Sequence, residues 1–258
     1  MNQKGGVGKS TLSLNVGSAL GHAGLRVLLL DLDPQATSTA AMLGTADRKG
    51  TADLLDYGNA KRLRVPEIAI AVPAWEMAII PAAYETLRQR EAALSDDPQS
   101  GQFALLDALA ADEDAADIVM IDCPPNYGPL TSAALVAANG IVAPIEAAGE
   151  STHGLALLER RIAGAKRVNS QLASLGIVII GFQARLRVDQ DVRDFVSEGT
   201  GFGWVTTVRQ TNGFKRGFIE QMPLRAIAAT DAERAAVAEI DVIAGKLGAL
   251  VSPEAVTA

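Results

Sequence analysis

The chain has 258 residues, 48% of them hydrophobic and 21% charged, with a net charge of −7. That is enough chain to bury a full core as one domain, and the acidic balance excludes a constitutively basic nucleic-acid binder, so any DNA contact has to come from a local basic patch. The single cysteine, Cys123, excludes an intrachain disulfide framework, and no apolar run approaches the roughly 18 residues of a membrane span.

The first informative stretch is Lys4-Gly5-Gly6-Val7-Gly8-Lys9-Ser10-Thr11, a glycine-rich phosphate loop with a second lysine at its front edge. Closely spaced glycines let the backbone turn tightly and aim successive N–H groups at phosphate oxygens. Lys9 is placed to reach the β and γ phosphates, and the Ser10 hydroxyl to ligate Mg²⁺. A helix expected over 8–21 presents its positive end to the anion. The common pattern G-x-x-x-x-G-K-[ST] is not met, because Gln3 stands where its first glycine should be; K-G-G-x-G-K-[ST] is met.

Short apolar runs at 27–31, 77–80, 118–121, 141–144, 178–181 and 204–208 read as strands buried on both faces. They alternate with helical periods, which predicts an α/β chain with a mostly parallel sheet covered by helices on both faces. Asp31-Leu32-Asp33-Pro34-Gln35 closes the first run and Asp122-Cys123-Pro124-Pro125 the third. Asp33 and Asp122 therefore fall at carboxyl ends of strands, where ligands bind in open α/β sheets. The stretch 88–117, with its Ser95-Asp96-Asp97-Pro98 turn, predicts a helix pair. The proline- and glycine-containing loop from Pro124 to Leu130 reads as a turn. Cys123 has no base beside it and reads as a packed small residue. His22 and His153 lack partners at metal-ligand spacing and read as helix-end or surface residues.

Basic residues recur late, at Arg185, Arg187, Arg193, Arg209, Lys215 and Arg216, interspersed with Asp189, Asp191, Asp194 and Glu220. The last helix opens with a capping box, Thr230-Asp231-Ala232-Glu233, and its Val237, Ile240, Ile243, Ala244, Leu247 and Leu250 fall on one face. One domain over 1–258, with no repeat and no separate DNA-binding domain, is the expected organisation.

The Lys4 loop, the D-x-D-P-Q block and the D-x-P-P block together resemble the ParA/MinD family of P-loop ATPases with a deviant Walker A motif. Within it the chain is most similar to the ParA-type (Soj-like) partition proteins, and Ile80-Pro81-Ala82, the 142–146 strand and the 230–250 helix fall in the family's order. The resemblance implies a P-loop NTPase fold and a slow ATPase with ATP/ADP and Mg²⁺ as cofactors. Residues Lys4, Gly5, Gly6, Val7, Gly8, Lys9, Ser10 and Thr11 would surround the nucleotide, and Ser10, Asp33 and Asp122 the metal. Lys4, Lys9 and Asp33 would be catalytic, with Asp33 positioning the attacking water and Lys4 reaching across a sandwich dimer to the partner's phosphates. The 124–130 loop resembles the family's switch region.

The same resemblance implies an ATP-dependent homodimer that binds DNA without sequence preference, through residues such as Arg187, Lys215 and Arg216. A ParB-like protein would stimulate hydrolysis, and the protein would be cytoplasmic and nucleoid-associated when ATP-bound, segregating plasmid, chromosome or protein cargo. No membrane partner is expected: the tail 250–258 has a proline and no basic residue, against a MinD-like membrane switch. That switch is one alternative; a weakly hydrolysing regulatory interaction module is another. Family members carry a short apolar strand just before the loop, where this chain has Met1-Asn2-Gln3. Without that strand the sheet would have a gap where two neighbours expect ladder hydrogen bonds; either the native protein begins several residues earlier, which is the favoured reading, or the slot is empty or filled from elsewhere.

Overall fold

The computed structural model describes residues 8–45, 48–59, 61–147 and 151–251, the side chains of 151–154 excepted; Lys4, Gly5, Gly6 and Val7 lie outside the described residues. Helix α1 (Lys9–His22) leads into strand β1 (Val27–Asp31), followed by α2 (Thr37–Leu43), β2 (Ile70–Val72) and β3 (Met77–Ile80). Then come α3 (Tyr84–Asp96), α4 (Ala104–Ala110), β4 (Ile118–Asp122), α5 (Pro129–Ala137) and β5 (Gly140–Glu146). The chain continues through α6 (Ser151–Ala165), β6 (Ala173–Ile180), α7 (Arg187–Gly199), β7 (Trp204–Val208), α8 (Gly213–Glu220) and α9 (Asp231–Val251).

The strands form two sheets, in the orders β2-β3-β1-β4 and β5-β6-β7. All pairings are parallel except that of β2 with β3. The mostly parallel α/β fold is as the apolar runs predict. The antiparallel β2 is not, because three residues at an edge, half exposed, carry too little pattern to be read. Among the described residues, β4 and β5 are not paired with each other. In the register of β1 and β4, Leu30 faces Ile121 and Asp31 faces Asp122, which brings two carboxylates level at the same end of the sheet.

Period-two alternation sorts β1 between two cores. Val27 and Leu29 pack with Leu12, Val16 and Leu20 of α1 and with Ile240, Ile243 and Leu247 of α9. Leu28 and Leu30 pack on the opposite face with Leu87, Leu94, Leu105 and Leu130 of α3, α4 and α5. A third cluster joins β5 and β6 to α6 and α7 through Ala143, Ile177, Leu158 and Val196. Val178 and Val208 belong to the first cluster, so the layer of α1 and α9 spans both sheets.

The helix pair expected in 88–117 is present as α3 and α4, with Asp97 accepting from the Ser100 N–H at 3.1 Å in the turn between them. The capping box of α9 forms as predicted. Glu233 N donates to Thr230 Oγ1 at 3.2 Å, and Thr230 N and Ala229 N donate to Glu233 Oε2 at 3.0 and 2.8 Å. These backbone donors hold the Glu233 carboxyl down to about 2.

Candidate nucleotide site at the carboxyl ends of β1 and β4

The start of α1 sets the geometry. Gly8 is its N-cap with φ +80°, a left-handed conformation, and a Cβ there would come within 3.3 Å of Ile180 Cγ2. Only glycine takes that backbone without strain. The Gly8 carbonyl accepts from Leu12 N at 2.8 Å, closing the first turn. Lys9 follows, half-buried; burial pulls its pKa below the usual lysine range, and Asp122 and Asp33 oppose that shift with their charge. A lysine held this way faces carboxylates across a partly dry space, the setting in which its charge acts most strongly.

Asp122 ends β4 and is 2% exposed. Ser38 Oγ donates to its Oδ2 at 2.6 Å, and the Ser10 hydroxyl also bonds this carboxyl. Burial raises its pKa; the Ser38 and Ser10 bonds lower it, Asp33 pushes it up and Lys9 down. Asp33 is buried in the loop between β1 and α2, its Oδ1 accepting from Gln35 N at 2.9 Å. That local turn fixes the side chain before α2 begins, as aspartates in such turns do. Gly8, Lys9, Ser10, Asp33 and Asp122 thus converge. The Thr11 carbonyl accepts from Asn15 Nδ2 at 2.9 Å, one turn into α1.

Three residues that sequence reasoning gave no role complete the site. Asp31 is fully buried; its Oδ2 accepts from Thr39 N at 2.8 Å and Thr39 Oγ1 at 2.7 Å, and its Oδ1 from Asp33 N at 3.2 Å. Burial first, then the charge of Asp122, pushes Asp31 up to about 7. Asp31 therefore holds both the Asp33 loop and the first turn of α2, while Ser38 on that turn reaches Asp122. The one available signal is the D-x-D spacing, which places Asp31 at the strand end but does not name its partners.

Other predicted residues resolve as follows. Cys123 is half-buried beside Asp122, and desolvation pushes its thiol up to about 12, which suits a packed residue rather than a nucleophile. Tyr127, in the 124–130 loop, lies under the Arg161 guanidinium at 4.6 Å from ring centre to Cζ. His22 is exposed at the end of α1, its Nδ1 3.1 Å from the Glu76 carboxylate; the side chain of His153 lies outside the described residues. Arg187, at the start of α7, is highly exposed and pairs with Asp191 at 3.3 Å. Lys215 is exposed on α8. Arg216 is tied inward: its Nη2 donates to the Ile227 carbonyl at 2.6 Å and to Glu233 at 3.2 Å. Among the described residues, no three or more His, Cys, Asp or Glu converge into a metal cage, and no helix is long and apolar enough to cross a membrane.

A family model described as AAA domain matches residues 1–174. The chain is also 34% identical over 196 residues to the chromosome-partitioning ATPase Soj of Treponema pallidum (strain Nichols), which covers 74% of each protein. The chain belongs to the ParA/Soj family of P-loop ATPases. Another ParA/Soj relative, the sporulation initiation inhibitor protein Soj of Bacillus subtilis (strain 168), is 33% identical over 210 residues, 76% of this chain and 77% of that protein. The ParA/Soj fold of this chain superposes on cobyrinic acid a,c-diamide synthase from Mycobacterium smegmatis with bound ATP analog and magnesium. That match has a TM-score of 0.81 and 25% identity, over 98% of this chain and 94% of that one. The matched span 1–174 contains the phosphate loop, Asp33 and Asp122, whereas Arg187, Lys215 and Arg216 lie beyond it.

Proposed function

We propose that this chain is a partition ATPase that binds ATP with Mg²⁺ at the start of α1 and hydrolyses it slowly. The observation that carries the reading is the convergence of Lys9, Ser10, Asp33 and Asp122 beneath the left-handed Gly8 cap. The donor set suits the metal: Mg²⁺ takes one or two protein oxygens beside phosphate oxygens and waters, and Ser10 and Asp122 are already bonded to each other. Mg²⁺, when bound, neutralises charge on the β and γ phosphates.

The protein's residues do the rest. Backbone N–H groups of residues 5–11 cradle the phosphates, and the Lys9 ammonium sits against the terminal ones. Asp33, fixed by the Gln35 N–H and by Asp31 behind it, orients the attacking water. Lys4 reaches the phosphates of a second copy, so the nucleotide becomes part of a dimer interface that hydrolysis weakens. The ATP-bound dimer binds DNA without sequence preference, with Arg187 and Lys215 among the exposed cations of the late segment; Arg216 is already engaged by Glu233 and the Ile227 carbonyl. A ParB-like protein stimulates turnover and release, in a cytoplasmic cycle that is nucleoid-associated in the ATP state.

The test is a pair of lysine variants read by nucleotide binding, turnover and sedimentation. Lys9→Ala should lose ATP binding or turnover by a hundredfold or more, on the order of the electrostatic contribution of one aimed group. Lys4→Ala should keep measurable nucleotide binding and lose the ATP-dependent dimer. Equal dimerisation of Lys4→Ala and the parent would refute the cross-dimer role.

A further inference from the structure

Asn15 is 8% exposed, in a stretch of α1 that is buried at every position from Leu14 to Leu20. A buried amide is costly unless its polar atoms are bonded. Both ends of this one are. Its Nδ2 donates to the Thr11 carbonyl one turn back, at 2.9 Å, and its Oδ1 accepts from the Leu224 N–H, 209 residues along the chain, at 2.9 Å. The second bond answers a local need. Leu224 opens the short helix Leu224–Ile227, whose N-cap is Pro223 and supplies no side-chain acceptor. The first N–H groups of a helix have no partner within it, so Asn15 caps this one from across the fold.

What Asn15 holds is itself fixed from several other sides. The Gln221 carbonyl accepts from Trp75 Nε1, just ahead of β3, at 3.0 Å. The Met222 N–H donates to the Gly217 carbonyl of α8 at 2.9 Å. The Ile227 carbonyl accepts from Arg216 Nη2 at 2.6 Å, and Arg216 in turn meets Glu233 of α9. Leu224 is buried beneath the start of α8, where a Cβ on Gly213 would come within 2.5 Å of its Cδ1. The segment 221–227 is therefore a braced frame. Helix α1, in contrast, meets β1 and α9 through apolar side chains such as Leu12, Val16 and Leu20. Apolar packing is non-directional and sets the distance between layers, whereas a hydrogen bond is directional and resists sliding.

We propose that Asn15 is a positioning residue of the nucleotide site: it pins the second turn of α1 to the frame 221–227 and so fixes the height at which Gly8, Lys9 and Ser10 meet Asp122. Thr11 follows Ser10 directly, so the pinned carbonyl belongs to the residue next to the hydroxyl that bonds Asp122. A slide of α1 by one residue's rise, about 1.5 Å, parts that pair. Misplacement on this scale costs more in turnover than in binding, because several backbone N–H groups share the phosphates while the reacting geometry is single. Asn15 lies a turn away from the loop and acts only through α1. The inference deepens the proposed site and rests on nucleotide binding at the start of α1.

The experiment compares Asn15→Leu and Asn15→Asp with the parent, by ATP binding and by steady-state turnover with Mg²⁺. Leucine fills the volume and removes both bonds, whereas aspartate keeps an oxygen for the Leu224 N–H. Asn15→Leu should bind ATP within about threefold of the parent and lose about tenfold or more in kcat, and Asn15→Asp should recover most of that loss. Equal kcat in Asn15→Leu and the parent would overturn the proposal. Equal losses in the two variants would overturn it as well, by showing that the Leu224 bond is not what matters. A parent that binds no ATP would overturn the nucleotide site first and the role of Asn15 with it. Amide exchange in the parent without nucleotide tests the pin even where a variant fails to fold. The Leu224 amide should be protected to within about tenfold of the α1 amides around it; exchange at the rate of exposed-loop amides would overturn the proposal.

Discussion

Asp31 and Asp122 stand level on adjacent strands, both buried, and two carboxyls so placed oppose each other's ionisation. Asp31 is raised from the ordinary 3.8 to about 7. A carboxyl whose pKa rises on folding stabilises the fold fully below its unfolded value and loses that contribution as pH climbs through the folded one. The melting midpoint of the ligand-free protein should therefore carry a component that falls between about pH 4 and pH 7, and Asp31→Asn should flatten that slope. Parallel slopes for the parent and Asp31→Asn across this window would contradict the assignment. Asp33 and Asp122 were legible in the sequence because each follows an apolar run that ends in an acid. Asp31 was not, because its role depends on Thr39 folding back against it from α2, a contact that spacing does not encode.

Between elements, close approach decides what the sequence could and could not reveal. A Cβ on Gly21 would fall 1.9 Å from the Glu76 carbonyl oxygen, so α1 rests directly on the backbone just ahead of β3. Gly21→Ala should force the two apart at a cost of roughly 1–3 kcal/mol, lowering the midpoint by roughly 3–10 °C in a chain of this size. An unchanged midpoint would show that α1 does not need that contact. In the sequence Gly21 reads merely as the end of a helix. The capping box of α9, by contrast, was legible to the residue, because Thr230 and Glu233 satisfy each other within one turn. Arg216 shows the opposite limit: a basic residue in a basic stretch suggests an outward contact, and the fold turns its guanidinium onto Glu233 and the Ile227 carbonyl. Helix α8, which carries Lys215, packs on α2, and α2 is held by Asp31 through Thr39 and carries the Ser38 bond to Asp122. A change at the phosphate-loop end therefore has a short packed route to an exposed lysine.

For the molecule as a whole, the described strands form two mostly parallel sheets that share the layer of α1 and α9. The apolar runs predicted six strands, and the structure adds the short antiparallel β2 at an edge and separates the rest into two sheets. With a net charge of −7, any attraction to DNA would have to be local; on the proposed reading it depends on the ATP-bound dimer and is therefore sensitive to both salt and nucleotide. The decisive measurement is binding to duplex DNA of arbitrary sequence at low and moderate salt, with ATP, with ADP and without nucleotide. The partition reading predicts binding with ATP alone, weakening steeply as salt rises. Binding of equal strength in all three states, or none in any state by a protein that still hydrolyses ATP, would contradict it.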